Sequence, residues 1–172
     1  MPIRLGHFEK PEKLTKSDDS DNKYAKYAAE PFETGFGHTI GNSLRRVLLS
    51  SLEGAAITSV KIEGADHEFA TVEGVVEDVT DIVLNLKKVR FRHNNREPKE
   101  VRLNVTADGP IVAGDLELPP GLKVVNKKQV ICTTDKSQKV EMVMEVQVGR
   151  GFLPGDANKK AAQPIGVIPI DS

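Results

Sequence analysis

Between Lys139 and Val148 apolar and polar residues alternate, KVEMVMEVQV, with Val143 the one apolar residue out of phase, so Val140, Met142, Met144, Val146 and Val148 share one face. A period of two belongs to a strand with one side buried, and a helix could not gather these residues on one face. Such a strand needs hydrogen-bonding neighbours and an apolar layer against its buried side. The surrounding sequence offers the neighbours. VRFRH, EVRLNVTA, LKVVN and QVICTT read as further short strands, set apart by NNREPK, DGP, PPG and DKSQ, whose residues favour turns. Composition agrees: 19 Val and 10 Ile stand against 13 Leu, a bias toward side chains that suit a pleated surface.

The first half of the chain has a different period. From His38 to Leu52, HTIGNSLRRVLLSSL places Ile40, Leu44, Val47, Leu48 and Ser51 within about 60° of one line at 100° per residue, which predicts a helix with one buried stripe. Gly54 ends it, and AAITSVKIEG reads as a strand. A second helix is expected from Val75 to Val89, with Glu77, Asp78 and Asp81 at its start and Lys87 and Lys88 at its end complementing the helix dipole. Its stripe is Val75, Val79, Ile82, Val83, Leu86 and Val89. The charged stretch Glu9 to Lys23 follows neither period and is expected to be a loop after a short N-terminal strand, with another strand from Tyr24 to Glu33. After the long alternating strand, GRGFLPGDANKKAAQPIG reads as a loop leading to the apolar run VIPI. The fold class is α+β, with two main helices and mostly antiparallel strands.

Several function classes lose their footing on the same residues. With 24 Lys and Arg against 25 Asp and Glu, no global positive field exists to hold a phosphate backbone, so direct DNA contact is not expected. No apolar run approaches the roughly 18 to 20 residues that cross a bilayer, and the N-terminus lacks the layout of a signal peptide, so the expected location is cytoplasmic, with no membrane partner. Cys132, in the apolar setting QVICTT, is the lone cysteine and reads as a small hydrophobe. His7, His38, His67 and His93 are spread too widely for a zinc motif, and His67-Glu68 lacks the second histidine of HExxH because Thr71 stands there. The loop from Gly35 to Gly41 superficially resembles a dinucleotide cradle, but Ile40 occupies the place where the third glycine is needed. A nucleotide-binding enzyme using that loop is therefore only the competing class. No catalytic residue, metal or cofactor is expected.

The informative anomaly lies on the first helix. With Leu44 at the centre of the stripe, Arg45 lies about 100° round, Leu49 about 140°, and Asn42 and Arg46 about 160° to either side. Leu49 is thus set away from the core beside two guanidinium groups, the composition of a protein interface anchor. The second helix repeats the pattern with Leu84 between Thr80 and Lys88. Two helices whose polar backs are each broken by a leucine point to a scaffold that binds other proteins.

Taken as strings, EPFETGFGHTIGNSLRRVLLSSLEGAAITSVKIEG and HEFATVEGVVEDVTDIVLNLKKV resemble the N-terminal domain of the bacterial RNA polymerase α-subunit family. The likeness resumes at VICTT and at GRGFLPGDANKKAAQPIGVIPIDS, leaving out chiefly Glu9 to Lys23. It implies a non-catalytic subunit of a nucleotidyltransferase, one that dimerises and scaffolds the assembly of the large β and β′ subunits. It further implies β contact through Arg45, Arg46 and Leu49, β′ contact through Lys87 and Ile170, and dimerisation through the stripe Ile40, Leu44, Val47 and Leu48. The family architecture divides the chain into residues 1–51, part of an α/β dimerisation subdomain; residues 52–166, an inserted β-rich subdomain; and residues 167–172, a strand returning to the first.

Here the sequence departs from the family pattern, whose members continue past IDS with further strands, a long helix and a C-terminal DNA-binding domain. The expectation is a fragment whose first-helix stripe lacks part of its cover and seeks another copy. A stand-alone α-like paralogue that binds β without dimerising is the alternative.

Overall fold

The computed structural model describes residues 9–21, 24–160 and 163–172. The chain divides into two compact units, Met1–Leu49 and Ser50–Ser172. In the first, β1 (Leu14–Lys16) pairs antiparallel with β2 (Tyr27–Ala29), Leu14 opposite Ala29 and Lys16 opposite Tyr27. The charged stretch is therefore a hairpin arm and not a plain loop. Its acidic and hydroxyl side chains make the turn: the Tyr24 N–H donates to Asp21 Oδ1 at 2.6 Å and the Ser20 hydroxyl to the Ser17 carbonyl at 2.7 Å. Local side-chain acceptors of this kind hold a turn without any apolar period, which is why periodicity missed it. The short strand expected before Glu9 lies outside the described residues. Helix α1 (Phe36–Ser51) then follows, starting two residues before the predicted span and ending one residue short of it.

The second unit is built on a six-stranded sheet. Its path runs β5 (Lys99–Val112), β7 (Val130–Arg150), β3 (Glu53–Ile62), β4 (Phe91–His93) and β6 (Leu122–Val124), with β8 (Val167–Pro169) also on β3. Every pairing is antiparallel. The alternation that opened the sequence reading is realised in β7, where Val140, Met142, Met144 and Val146 are buried. Val101 and Leu103 of β5 and Val60 and Ile62 of β3 join them, and α2 (Val79–Leu86) adds Val79, Ile82 and Leu86 to the same apolar cluster. Residues 167–172 stay with this unit: β8 pairs with β3 from Ser59 to Lys61, and Ile168 and Ile170 enter the core.

Two element boundaries differ from those the sequence predicts. DGP and DKSQ carry turn residues, yet β5 and β7 run through both as one bent ribbon. The bend is taken up by a bulge between Ala107 and Gly109, where Gly109 has φ +114°. Thr134, 2% exposed, stitches the bulge: its hydroxyl lies 2.9 Å from the Ala107 carbonyl oxygen and accepts the Gly109 N–H at 3.1 Å. The second helix is shorter than the predicted Val75 to Val89. Residues 74–76 pair with β7 instead, the Val76 N–H donating to the Thr133 carbonyl, while the Glu77 carboxylate accepts from the Thr133 N–H and hydroxyl at 2.6 and 2.9 Å. Only at Asp78, which accepts the Asp81 N–H at 2.7 Å as an N-cap, does the helix begin.

Candidate assembly surface

Helix α1 starts after Gly35, whose φ of +93° turns the chain into the helix, and the Phe36 N–H closes on the Glu33 carbonyl at 3.1 Å. It carries no acidic residue in its first turn and no basic one in its last, so nothing in its charge pattern favours it in isolation. None of its residues is buried. The stripe expected to be buried is instead open: Ile40 is 40% exposed, Leu44 58%, Val47 55% and Leu48 58%. Leu49, with Arg45 and Arg46 beside it, is exposed on the other side. Two glycines add a feature the sequence reading passed over. Gly37 and Gly41, four residues apart, fall about 20° and 60° from Leu44 on the wheel, and a Cβ built on either meets nothing within 4 Å. Their spacing was the available signal, since small residues one turn apart let another backbone approach closely.

Of the three glycines of the Gly35 to Gly41 loop, only Gly35 stands in a turn; Gly37 lies in the first turn of α1 and Gly41 further inside it, so the three do not form one glycine-rich loop.

A second locus forms in the sheet unit. Lys87 caps the C-terminus of α2, and its ammonium meets Asp171 Oδ2 at 3.1 Å. Asp171 Oδ1 accepts the Gly155 N–H at 2.7 Å. That backbone donor and the Lys87 ammonium hold the Asp171 carboxyl below the ordinary carboxylate range. Next to it Ile170 is 1% exposed, and its N–H donates to the Thr58 carbonyl at 2.8 Å. Lys87 and Ile170, 83 residues apart in sequence, are thus brought together through Asp171. Their positions differ in kind: Lys87 is exposed, whereas Ile170 is a core side chain that anchors the segment carrying Asp171. The loop from Leu153 to Asn158, which includes the short helix α3 (Gly155–Asn158), is fastened to the same segment. Leu153 and Ser172 exchange backbone bonds at 2.6 and 2.9 Å, and the Asn158 amide donates to the Ile170 carbonyl at 2.7 Å. Asp171, Gly155 and Asn158 had no signal in the sequence, because their roles depend on long-range closure.

Among the described residues no group of three or more His, Cys, Asp or Glu is placed to hold a metal ion, and no helix is long and apolar enough to cross a membrane. Cys132 is buried, and burial, aided by the nearby Glu77 charge, pushes its thiol up to about 12.

Comparison with known proteins adds a lineage to this geometry. Residues 60–172 match the family described as the RNA polymerase Rpb3/RpoA insert domain. The chain is 50% identical over 152 residues to the DNA-directed RNA polymerase subunit alpha of Moorella thermoacetica, an alignment covering 88% of this chain and 49% of that protein. It is 50% identical over 165 residues to the subunit of the same name from Symbiobacterium thermophilum and 51% identical over 165 residues to that of Desulfitobacterium hafniense, covering in each case 96% of this chain and 52% of the relative. The chain spans about half the length of the curated relatives it matches.

Proposed function

The chain belongs to the bacterial RNA polymerase α-subunit family, and from that premise we propose that it is a non-catalytic part of DNA-directed RNA polymerase, working in transcription by dimerising and scaffolding the β and β′ subunits. The carrying observation is α1, a helix of 16 residues with none buried, whose apolar stripe and arginine-flanked leucine both face outward. Burying apolar surface is the dominant drive for association, and a helix open on two sides has two surfaces to offer. In this reading Ile40, Leu44, Val47 and Leu48 meet a second copy, while Arg45, Arg46 and Leu49 meet β. Lys87 and the segment around Ile170 mark a face toward β′, with Ile170 acting from the core by holding Asp171 in place. Residues 1–51 are assigned to the dimerisation subdomain and residues 52–166 to the inserted one, with the strand 167–172, packed in the sheet unit, as the segment that leads back toward the first. Nucleotidyl transfer belongs to the other subunits.

The test is binding of the chain to purified β subunit beside its Arg46→Ala and Leu49→Ala variants. Saturable binding weakened by both substitutions, with the cooperative melting of the sheet unit unchanged, is the expected result. Equal binding by all three proteins would place the β contact elsewhere.

A further inference from the structure

On the face of the sheet opposite the buried methionines, a cleft of about 680 Å³ opens between the strands and the segment running into β8. Its floor is set by register. Lys61 of β3, Val143 of β7 and Arg102 of β5 stand side by side, and Ser59, Glu145 and Glu100 form the next row. Val143 is 39% exposed, an apolar residue between two cations on an otherwise polar face. Lys160, Gln163, Pro164 and Val167 make one wall, and Pro98 and Lys99 the other.

Most charges here are already matched. Lys160 reaches both Glu145 oxygens at 2.7 Å; burial works to raise the Glu145 carboxyl, but Lys160 and Gln147 outweigh it and hold the group below its ordinary value. Arg102 pairs with Glu100 at 2.7 Å, and Lys99 lies 3.8 Å from Glu97. Three needs remain unmet. Lys61 has no carboxylate partner among the described residues, Gln163 Oε1 is buried without a donor, and Val143 keeps 39% of its surface open. A buried acceptor left unpaired costs free energy that a donor would recover. The lining holds four cations against two carboxylates, and with Glu97 counted beside Lys99 one cation, Lys61, is left in excess, so the local balance favours an anion over a basic segment.

We propose that this cleft docks an acidic, apolar peptide segment of a partner protein in extended form. A carboxylate of the segment meets Lys61, an apolar side chain lies on Val143, and, with the Gln163 side chain turned outward, a backbone N–H donates to its Oε1. A peptide carries all three groups within a few residues, and the cleft volume lies in the range of about 300 to 1,000 Å³ that suits a bound ligand of such size. The lining lies wholly within the sheet unit, and the proposal does not depend on the assembly reading.

The experiment is fluorescence anisotropy with the full 172-residue chain and short, capped, fluorescein-labelled peptides: alternating Asp and Leu, alternating Asp and Ser, and alternating Lys and Leu. The Asp/Leu peptide is expected to saturate, the other two to bind at least about tenfold more weakly, and Lys61→Glu to weaken the Asp/Leu peptide by about tenfold or more, as expected when one attraction becomes a repulsion. Gln163→Met, which keeps length and removes the acceptor, should weaken it by a few fold, with unaltered circular dichroism confirming both variants as folded. Failure of the Asp/Leu peptide to saturate, equal binding of the Asp/Ser or Lys/Leu peptide, or indifference to Lys61→Glu in a folded variant would each overturn the proposal. So would full competition by N-acetyl-aspartate alone, which would mark a small-carboxylate pocket.

Discussion

Leu44→Ala is the sharpest perturbation of the α1 stripe. Complete burial of a leucine side chain is worth about 1.5 to 3 kcal/mol. Leu44 keeps 58% of its surface open within the chain, so the share still to be gained in an interface is about 0.9 to 1.7 kcal/mol. In a two-fold dimer the substitution is made twice, giving about 1.8 to 3.4 kcal/mol, or a dissociation constant raised roughly 20- to 300-fold at 1.4 kcal/mol per tenfold. Sedimentation equilibrium over a concentration series reads this directly. The same variant should leave the thermal midpoint of the sheet unit where it was, because Leu44 is not part of the buried cluster. Leu86→Ala provides the contrast: at 1% exposure it should cost about 2 to 5 kcal/mol of folding stability. An unchanged dissociation constant in Leu44→Ala, or a parent chain that stays monomeric throughout the series, refutes the reasoning.

Gly41→Ala separates helix stability from association: in the isolated chain the methyl meets nothing within 4 Å and should stabilise α1 by about 0.5 to 1 kcal/mol, while weakening self-association if a partner backbone packs over the notch, seen as a higher helix signal with a lower sedimentation coefficient. Acidification tests the clamp on the terminal segment. Because the folded Asp171 carboxyl is held below its ordinary 3.8 by Gly155 and Lys87, the contribution is present above that value and fades as pH falls through the lower folded one; hydrogen exchange at Gly155 should accelerate in that window in the parent and be fast and pH-independent beyond the intrinsic chemistry in Asp171→Ala. Thr134→Val strands the Gly109 N–H at the bulge and should cost about 1 to 3 kcal/mol in urea unfolding. Cys132, with its thiol at about 12, should resist thiol reagents at neutral pH until the sheet unit unfolds.

Elements whose two periods were strong were readable from the residues. The α1 span, most of β3, which begins at Glu53 and runs through Gly54, and the buried row of β7 follow from spacing alone. What escaped was decided by partners remote in sequence. Residues Val75 to Glu77 have helical spacing, but the Thr133 backbone and hydroxyl offered better-placed hydrogen bonds and drew them into an extended segment. DGP and DKSQ carry turn residues, yet both strands continue because each has the other to pair with, and the register shift between Ala107 and Gly109 absorbs the mismatch there. Local propensity set a preference of about a kilocalorie per mole, and cooperative pairing along a ribbon exceeds it.

The candidate surface exposes a different limit. α1 and α2 each present an apolar stripe at helical spacing, and nothing in that spacing says which stripe will find cover inside the chain. In α2 it does, with Val79, Ile82 and Leu86 sealed against the sheet; in α1 it does not, and every residue stays open. Periodicity reports which side chains share a face, while function turns on what lies opposite that face. The off-stripe leucines were the better guide, since Leu49 and Leu84 are both exposed, as the wheels imply. An uncovered stripe and an off-stripe leucine on one helix leave α1 with two separate faces to bury. Leu44→Ala and Leu49→Ala should therefore fail differently, the first in self-association and the second in binding β. A variant pair that lost both activities together would mean a single shared surface.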